Sequence, residues 1–161
     1  MTGQIEWVLL SYRIPREPST PRIAVWRRLR RLGVLQVSDG LVGLPADART
    51  REQLDWIAEE VIEAGGEALV WLGRLATRAQ ERAVAQKMTD ATADEYRAVT
   101  ADAETAAGES VASRRRTAAR LRRELDRISR RDFFPPPERD EAQRAVRALD
   151  ATIVDQVAAN S

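Results

Sequence analysis

The sequence predicts an α+β fold, and a contrast between its two parts is what predicts it. Up to residue 76, short apolar runs of strand length alternate with amphipathic segments of helix length, punctuated by glycine and proline. From residue 77 onward the only glycine is Gly108, alanine is abundant and β-branched runs are absent, so helix propensity stays high. The expected organisation is therefore an α/β-patterned domain over residues 1–76 and a helical region over residues 77–161.

Within the first part, Trp7-Val-Leu-Leu-Ser-Tyr-Arg13 is an apolar, β-favouring run ended by Ile14-Pro15, the pattern of a mostly buried strand. After a proline-rich turn, Thr20 is placed to cap a helix with Pro21 in its first turn, where a missing N–H costs little. That helix is expected to reach Leu32 and stop at Gly33. Val34–Val37 and Leu41–Leu44 read as two short strands, and Ser38-Asp39-Gly40 between them has the chemistry of a tight hairpin, with glycine supplying a positive φ. Thr50 and Gln53 form a capping-box pattern, after which Leu54, Ile57, Ala58, Val61 and Ile62 repeat at helical spacing as far as Gly65-Gly66. Ala68–Leu72 closes the series as a strand. Strand-helix-strand-strand-helix-strand is the ferredoxin-like βαββαβ arrangement, with both helices on one face of an antiparallel sheet and the other face in need of a cover.

In the second part three or four helices are expected, with breaks near Thr89-Asp-Ala-Thr92 and at Gly108. Val111, Ala118, Leu121, Leu125 and Ile128 fall on one stripe. Beyond Pro135-Pro-Pro137, Ala142, Val146, Leu149, Ile153 and Val157 fall on another, so the two segments predict an antiparallel helical hairpin.

Composition removes several classes of chemistry. Without cysteine there is no disulfide, thiol nucleophile or thiolate metal site, and without histidine there is no serine triad or imidazole ligand. No basic leader precedes an apolar core at the start and no run of eighteen apolar residues occurs, so a cytoplasmic protein without a membrane partner is expected. No cofactor or metal site is predicted. Net charge is +1, and any electrostatic function must come from local segregation of the 25 arginines, which stand against the single Lys87.

That segregation occurs twice. On the first helix Val25, Leu29 and Leu32 share one side, while Arg27, Arg28, Arg30 and Arg31 occupy the other. Between Arg114 and Arg131 nine arginines face only two acids, Glu124 and Asp126. Six of them, Arg116, Arg120, Arg123, Arg127, Arg130 and Arg131, lie within an arc of about 100° opposite the apolar stripe. A guanidinium binds phosphate oxygens as a planar fork, so single-sign stripes point to a polyanion such as DNA. The competing reading is neutralisation within the fold, by Glu59, Glu60 or Glu63 for the first helix and by Asp94, Glu95, Asp102, Glu104, Glu138, Asp140 or Glu141 for the second. The apolar side of the second stripe lacks aromatic anchors, which argues for packing on protein rather than on a membrane surface.

Trp7, Trp26, Trp56 and Trp71 all fall in the first part, where their apolar neighbours predict core packing over a stacking platform for bases. Phe133-Phe134 is expected to plug the helical region against the sheet. A nuclease of similar fold would need a carboxylate at the end of the first strand; Ser11-Tyr12-Arg13 stands there, and Asp39 is explained by its turn, so no catalytic residue is assigned.

Trp7-Val-Leu-Leu, Ala24-Val-Trp-Arg-Arg-Leu-Arg-Arg-Leu-Gly33, Asp39-Gly40 with Leu44-Pro45, and Asp132-Phe-Phe-Pro135 together resemble the N-terminal domain of the bacterial chromate-resistance regulatory protein, the ChrB family. The resemblance spans residues 5 to 80 and continues more loosely through the Asp-Phe-Phe-Pro element. It implies a regulator that binds DNA near a chromate-efflux operon, with a module similar to the central domain of phenylacetate-type repressors and to small CRISPR-associated nuclease folds. Complete members carry a C-terminal domain linked to chromate sensing, which this sequence is read as lacking. The combined expectation is a non-enzymatic, homodimeric DNA-binding regulator, paired through its open sheet face or its helical hairpin, and contacting phosphates through the ten arginines of the two stripes. The alternatives are a module that docks a separate sensor-domain protein and a metal-dependent nuclease.

Overall fold

The first strand is the hub of a four-stranded antiparallel sheet. In the computed structural model, which describes residues 4–161, β1 (Trp7–Arg13) is followed by α1 (Ser19–Leu32), β2 (Leu35–Ser38), β3 (Leu41–Pro45), α2 (Ala48–Glu63) and β4 (Glu67–Gly73). The strand order is β2-β3-β1-β4. Register places Val8 opposite Leu44 and Leu10 opposite Val42, and all four side chains are buried. Val25 and Leu29 of α1 and Leu54, Ile57, Ala58 and Val61 of α2 are buried too, and α2 packs against β1 and β4. Burying one such aliphatic side chain stabilises by roughly 1.5–3 kcal/mol.

The alternate residues of the sheet form an apolar surface. Leu9 pairs with Trp71 and Ser11 with Leu69, and the Trp71 Nε1 donates to Ser11 Oγ at 2.9 Å. Leu69 and Trp71 are 61% and 53% exposed.

Two helix starts differ from expectation. α1 begins at Ser19 after Pro18, with no side-chain cap, so Thr20 lies inside the helix. α2 begins three residues early because Asp47, not Thr50, is the N-cap: Thr50 N–H donates to Asp47 Oδ1 at 2.7 Å and Thr50 Oγ1 accepts from Asp47 N–H at 2.9 Å. Thr50 Oγ1 also donates to Pro45 O at 2.7 Å, which buries it. Gly33 ends α1 at φ 75°, and Gly40 closes the β2–β3 turn at φ 74°.

The chain divides into two compact units, the first through Ala85 and the second over Gln86–Ser161. The helices of the second part are α3 (Arg78–Ala106), α4 (Val111–Arg130) and α5 (Glu138–Ala159). The break expected at Gly108 is present, but α3 runs through Thr89–Thr92 without interruption. Thr92 Oγ1 donates back to Thr89 O at 3.1 Å and Thr89 Oγ1 donates to Phe134 O at 2.9 Å, so hydroxyls that favour turns find partners that tolerate a helix. The Phe134 carbonyl is thereby tied to α3 within the helical unit.

Leu121 and Ile128 of α4 share a core with Tyr96 and Val99 of α3 and with Ala142 and Val146 of α5. Ala118 meets Ala106, Leu149 and Ile153 in a second cluster. Contacts climb α4 as they descend α5: Arg114 bonds Gln156, and Arg122 reaches Asp150 at 2.6 Å. Val157, placed on the apolar stripe of α5, is 41% exposed.

Candidate nucleic-acid interface

The apolar stripe of α4 fixes which arginines face outward. Ala118, Leu121 and Ile128 are fully buried, so a rotation of about 100° per residue puts Arg116, Arg120, Arg123, Arg127 and Arg130 on the opposite side. All five are exposed. The stripe is not uniform. Its edge toward α3 is neutralised: Arg120 reaches Asp102 at 3.3 Å, and the half-buried Arg131 pairs with Glu95 and also donates to Arg127 O at 3.0 Å. Arg127 pairs with Glu124 of its own helix at 2.5 Å.

The other edge is left open. Among the described residues no carboxylate oxygen lies within 4.0 Å of Arg116, Arg123 or Arg130. Spaced at i, i+7 and i+14, the three lie on one ridge about 10 Å apart along the axis. Of the acids weighed as neutralising partners, Glu95 and Asp102 act on α4, whereas Asp94 and Glu138 are engaged by Arg97 at 2.5 and 3.0 Å.

The first-helix arginines divide in the same way. Arg28 reaches Glu60 of α2 at 2.9 Å, and Arg30 lies over the Trp26 ring with its Cζ 4.8 Å from the centroid, a contact worth about 0.5–1 kcal/mol where exposed. Arg27 and Arg31 are exposed and, among the described residues, have no carboxylate within 4.0 Å.

Arg114, counted in the basic segment but not in the stripe, is buried at 6% exposure and donates to Gln156 Oε1. The tryptophans depart further from expectation. Trp7 is in the core, but Trp26, Trp56 and Trp71 are 50–57% exposed, because each sits off the buried face of its element. Among the described residues no three carboxylates stand close enough to hold a metal ion, and no helix is long and apolar enough to cross a membrane.

One family model, described as "Protein ChrB, N-terminal", matches residues 22–159, a span that begins inside α1, covers its arginines and includes the whole of α4 and α5. The chain belongs to this family. No curated protein and no solved structure matches it. The ChrB N-terminal match therefore extends through the helical unit, where the resemblance in sequence was looser.

Within this ChrB N-terminal domain the Asp132-Phe-Phe-Pro135 element has a defined mechanical role. Asp132 Oδ2 accepts from the buried Tyr96 hydroxyl at 2.8 Å, and Asp132 Oδ1 has no hydrogen-bond partner among the described residues. Burial first, then the hydrogen bond and charge of Asp132, raises the Tyr96 pKa above its ordinary value. The folded state thus holds this proton more tightly than the unfolded chain does. That contribution is fully present below pH about 10 and is lost progressively as pH climbs above it. Tyr96→Phe is expected to cost about 2 kcal/mol at neutral pH by stranding the carboxylate, and to shrink the drop in Tm between pH about 9 and about 11, as thermal melts would show. An unchanged pH profile would remove Tyr96 from this account.

Proposed function

We propose that the chain is a non-enzymatic DNA-binding module of the chromate-resistance regulator type, built as a ferredoxin-like βαββαβ unit followed by an antiparallel helical hairpin. The observation that carries this reading is the ridge Arg116–Arg123–Arg130, three exposed guanidinium groups without a carboxylate partner among the described residues. An uncompensated cationic ridge has favourable work to do only against an anion, and a duplex presents phosphates along its whole length. Arg27 and Arg31 add to the same chemistry. Arg120 and Arg127, whose ion pairs are solvent-exposed and so weak, exchange a carboxylate for a phosphate at little cost. Family membership supports a regulatory rather than a metabolic role.

Retention of duplex DNA measured against salt tests the reading. Three to five phosphate contacts give a slope of log K against log salt between about −2.7 and about −4.5. A flat profile, or no retention at low salt, would defeat it.

Homodimer pairing through the open sheet face, part of the same reading, draws on the exposed Leu69 and Trp71 beside Leu9 on the sheet. We infer that a second copy covers this face, since burying such a surface is favourable. Sedimentation velocity is expected to show a dimer that Leu69→Asp with Trp71→Ser converts to monomer. A monomeric native chain at every concentration would exclude self-pairing.

A further inference from the structure

β1 ends at Arg13, where the chain turns toward α1 beside the β2–β3 turn, and a groove of about 750 Å³ opens there. That volume lies within the roughly 300–1,000 Å³ of small-molecule sites. Arg13 enters it from the strand end, Arg16 from the loop and Arg22 from α1. Among the described residues none of these three has a carboxylate within 4.0 Å, although three cations around one cavity repel one another. Asp39 is the one acid in the lining. No acidic side chain occupies the first turn of α1.

The groove also has an aromatic wall. Trp26 lines it and is 50% exposed; Arg30 covers one face of the indole but lies outside the lining, so the groove meets the rest of the ring. Tyr12 contributes a phenol hydroxyl to the lining. Phosphate alone would use the arginines and leave the indole idle, and an uncharged aromatic would do the reverse.

We propose that this groove binds a phosphorylated nucleotide, its phosphate held by Arg13, Arg16 and Arg22 and its base resting against Trp26. The site is distinct in residues from the α4 ridge and does not rest on duplex binding. A free mononucleotide and the 5′-phosphorylated end of a strand present the same chemistry.

Calorimetric titration of the full chain with adenosine 5′-monophosphate, adenosine, inorganic phosphate and a 5′-phosphorylated trinucleotide separates the cases. The monophosphate is expected to bind at least about tenfold more tightly than adenosine or inorganic phosphate, because only it engages both walls. Arg13→Ala with Arg22→Ala should weaken it by about tenfold or more, and Trp26→Ala should reduce it to the affinity of inorganic phosphate. Asp39→Asn removes the single repelling charge and is expected to tighten binding severalfold, a gain that no folding defect produces. A trinucleotide tighter than the monophosphate assigns the site to a strand end, and the reverse assigns it to a free nucleotide. Absence of binding by the native chain, or an affinity indifferent to both the arginine pair and Trp26, overturns the proposal, while the salt response of duplex binding would stand unaffected.

Discussion

Replacing Arg116, Arg123 and Arg130 together by alanine is expected to flatten the salt dependence of duplex binding by about 2.7 in the slope of log K against log salt. Between about 50 and about 200 mM salt the native chain should then lose roughly fortyfold more affinity than the variant does. The reason is geometric. These three arginines are the part of the α4 stripe that lies away from the acids of α3, so within that stripe they are the ones without a carboxylate partner among the described residues. Stability is expected to move in the opposite direction. Arg116 precedes Arg120 by four residues and Arg123 precedes Arg127 by four, and like charges at that spacing destabilise a helix by about 0.2–0.5 kcal/mol per pair. Alanine also has the best helix propensity, so the variant should melt at the same temperature or higher. Loss of binding with retained or raised Tm separates a functional ridge from a merely structural one. Arg97→Ala, which breaks the pairs of this α3 residue with Asp94 of the same helix and Glu138 of α5, is the control and should leave the salt slope unchanged. An unaltered slope in the triple variant would assign the affinity elsewhere.

Much of this architecture was legible in the chain because local chemistry and packing agree. The apolar, β-favouring run at β1, the helical spacing after Leu54 and the stop at Gly33 each state one conformation, and no distant contact contradicts them. The failures occur where a local rule admits two answers. Asp47-Ala-Arg-Thr50 and Thr50-Arg-Glu-Gln53 both satisfy a capping pattern, and the Pro45 carbonyl decides between them by drawing the Thr50 hydroxyl inward. Thr89-Asp-Ala-Thr92 reads as a break only until Phe134, 45 residues away, accepts the Thr89 hydroxyl.

The tryptophans show a different error: apolar neighbours in sequence are not neighbours in space. Trp26 is one helical step of about 100° from the buried Val25, and Trp56 lies nearly opposite Leu54, so each sits off the buried face of its helix. Which arginines remain unpaired was not legible, because it depends on which turns of α3 and α4 adjoin. The groove at the end of β1 was equally hidden, since Arg13, Arg16 and Arg22 sit on three different pieces of chain and form no linear pattern.

Gly40→Ala combines backbone strain with a steric clash at one position in the sheet unit. Its φ of +74° already disfavours any side chain by about 1–2 kcal/mol. A Cβ there would stand 2.5 Å from the Tyr12 carbonyl oxygen, which is backbone and cannot swing aside, because the Gly40 carbonyl in turn accepts the Tyr12 N–H at 2.8 Å. Relief requires pulling the β2–β3 turn away from β1, and with it the register that buries Val42 and Leu44. Gly40→Ala is therefore expected to cost about 3 kcal/mol, seen as a fall of roughly 10–20 °C in the Tm of this unit. Two comparisons isolate the clash from the backbone strain. Gly65→Ala shares a positive φ, +84°, but its Cβ meets nothing within 4 Å, so it should cost only the strain of about 1 kcal/mol. Gly40→Asn tolerates the left-handed region but keeps the Cβ, so it should recover little of the loss. If Gly40→Ala and Gly65→Ala proved equally costly, the close approach to Tyr12 would contribute nothing and the anchoring of the turn on β1 would need another cause.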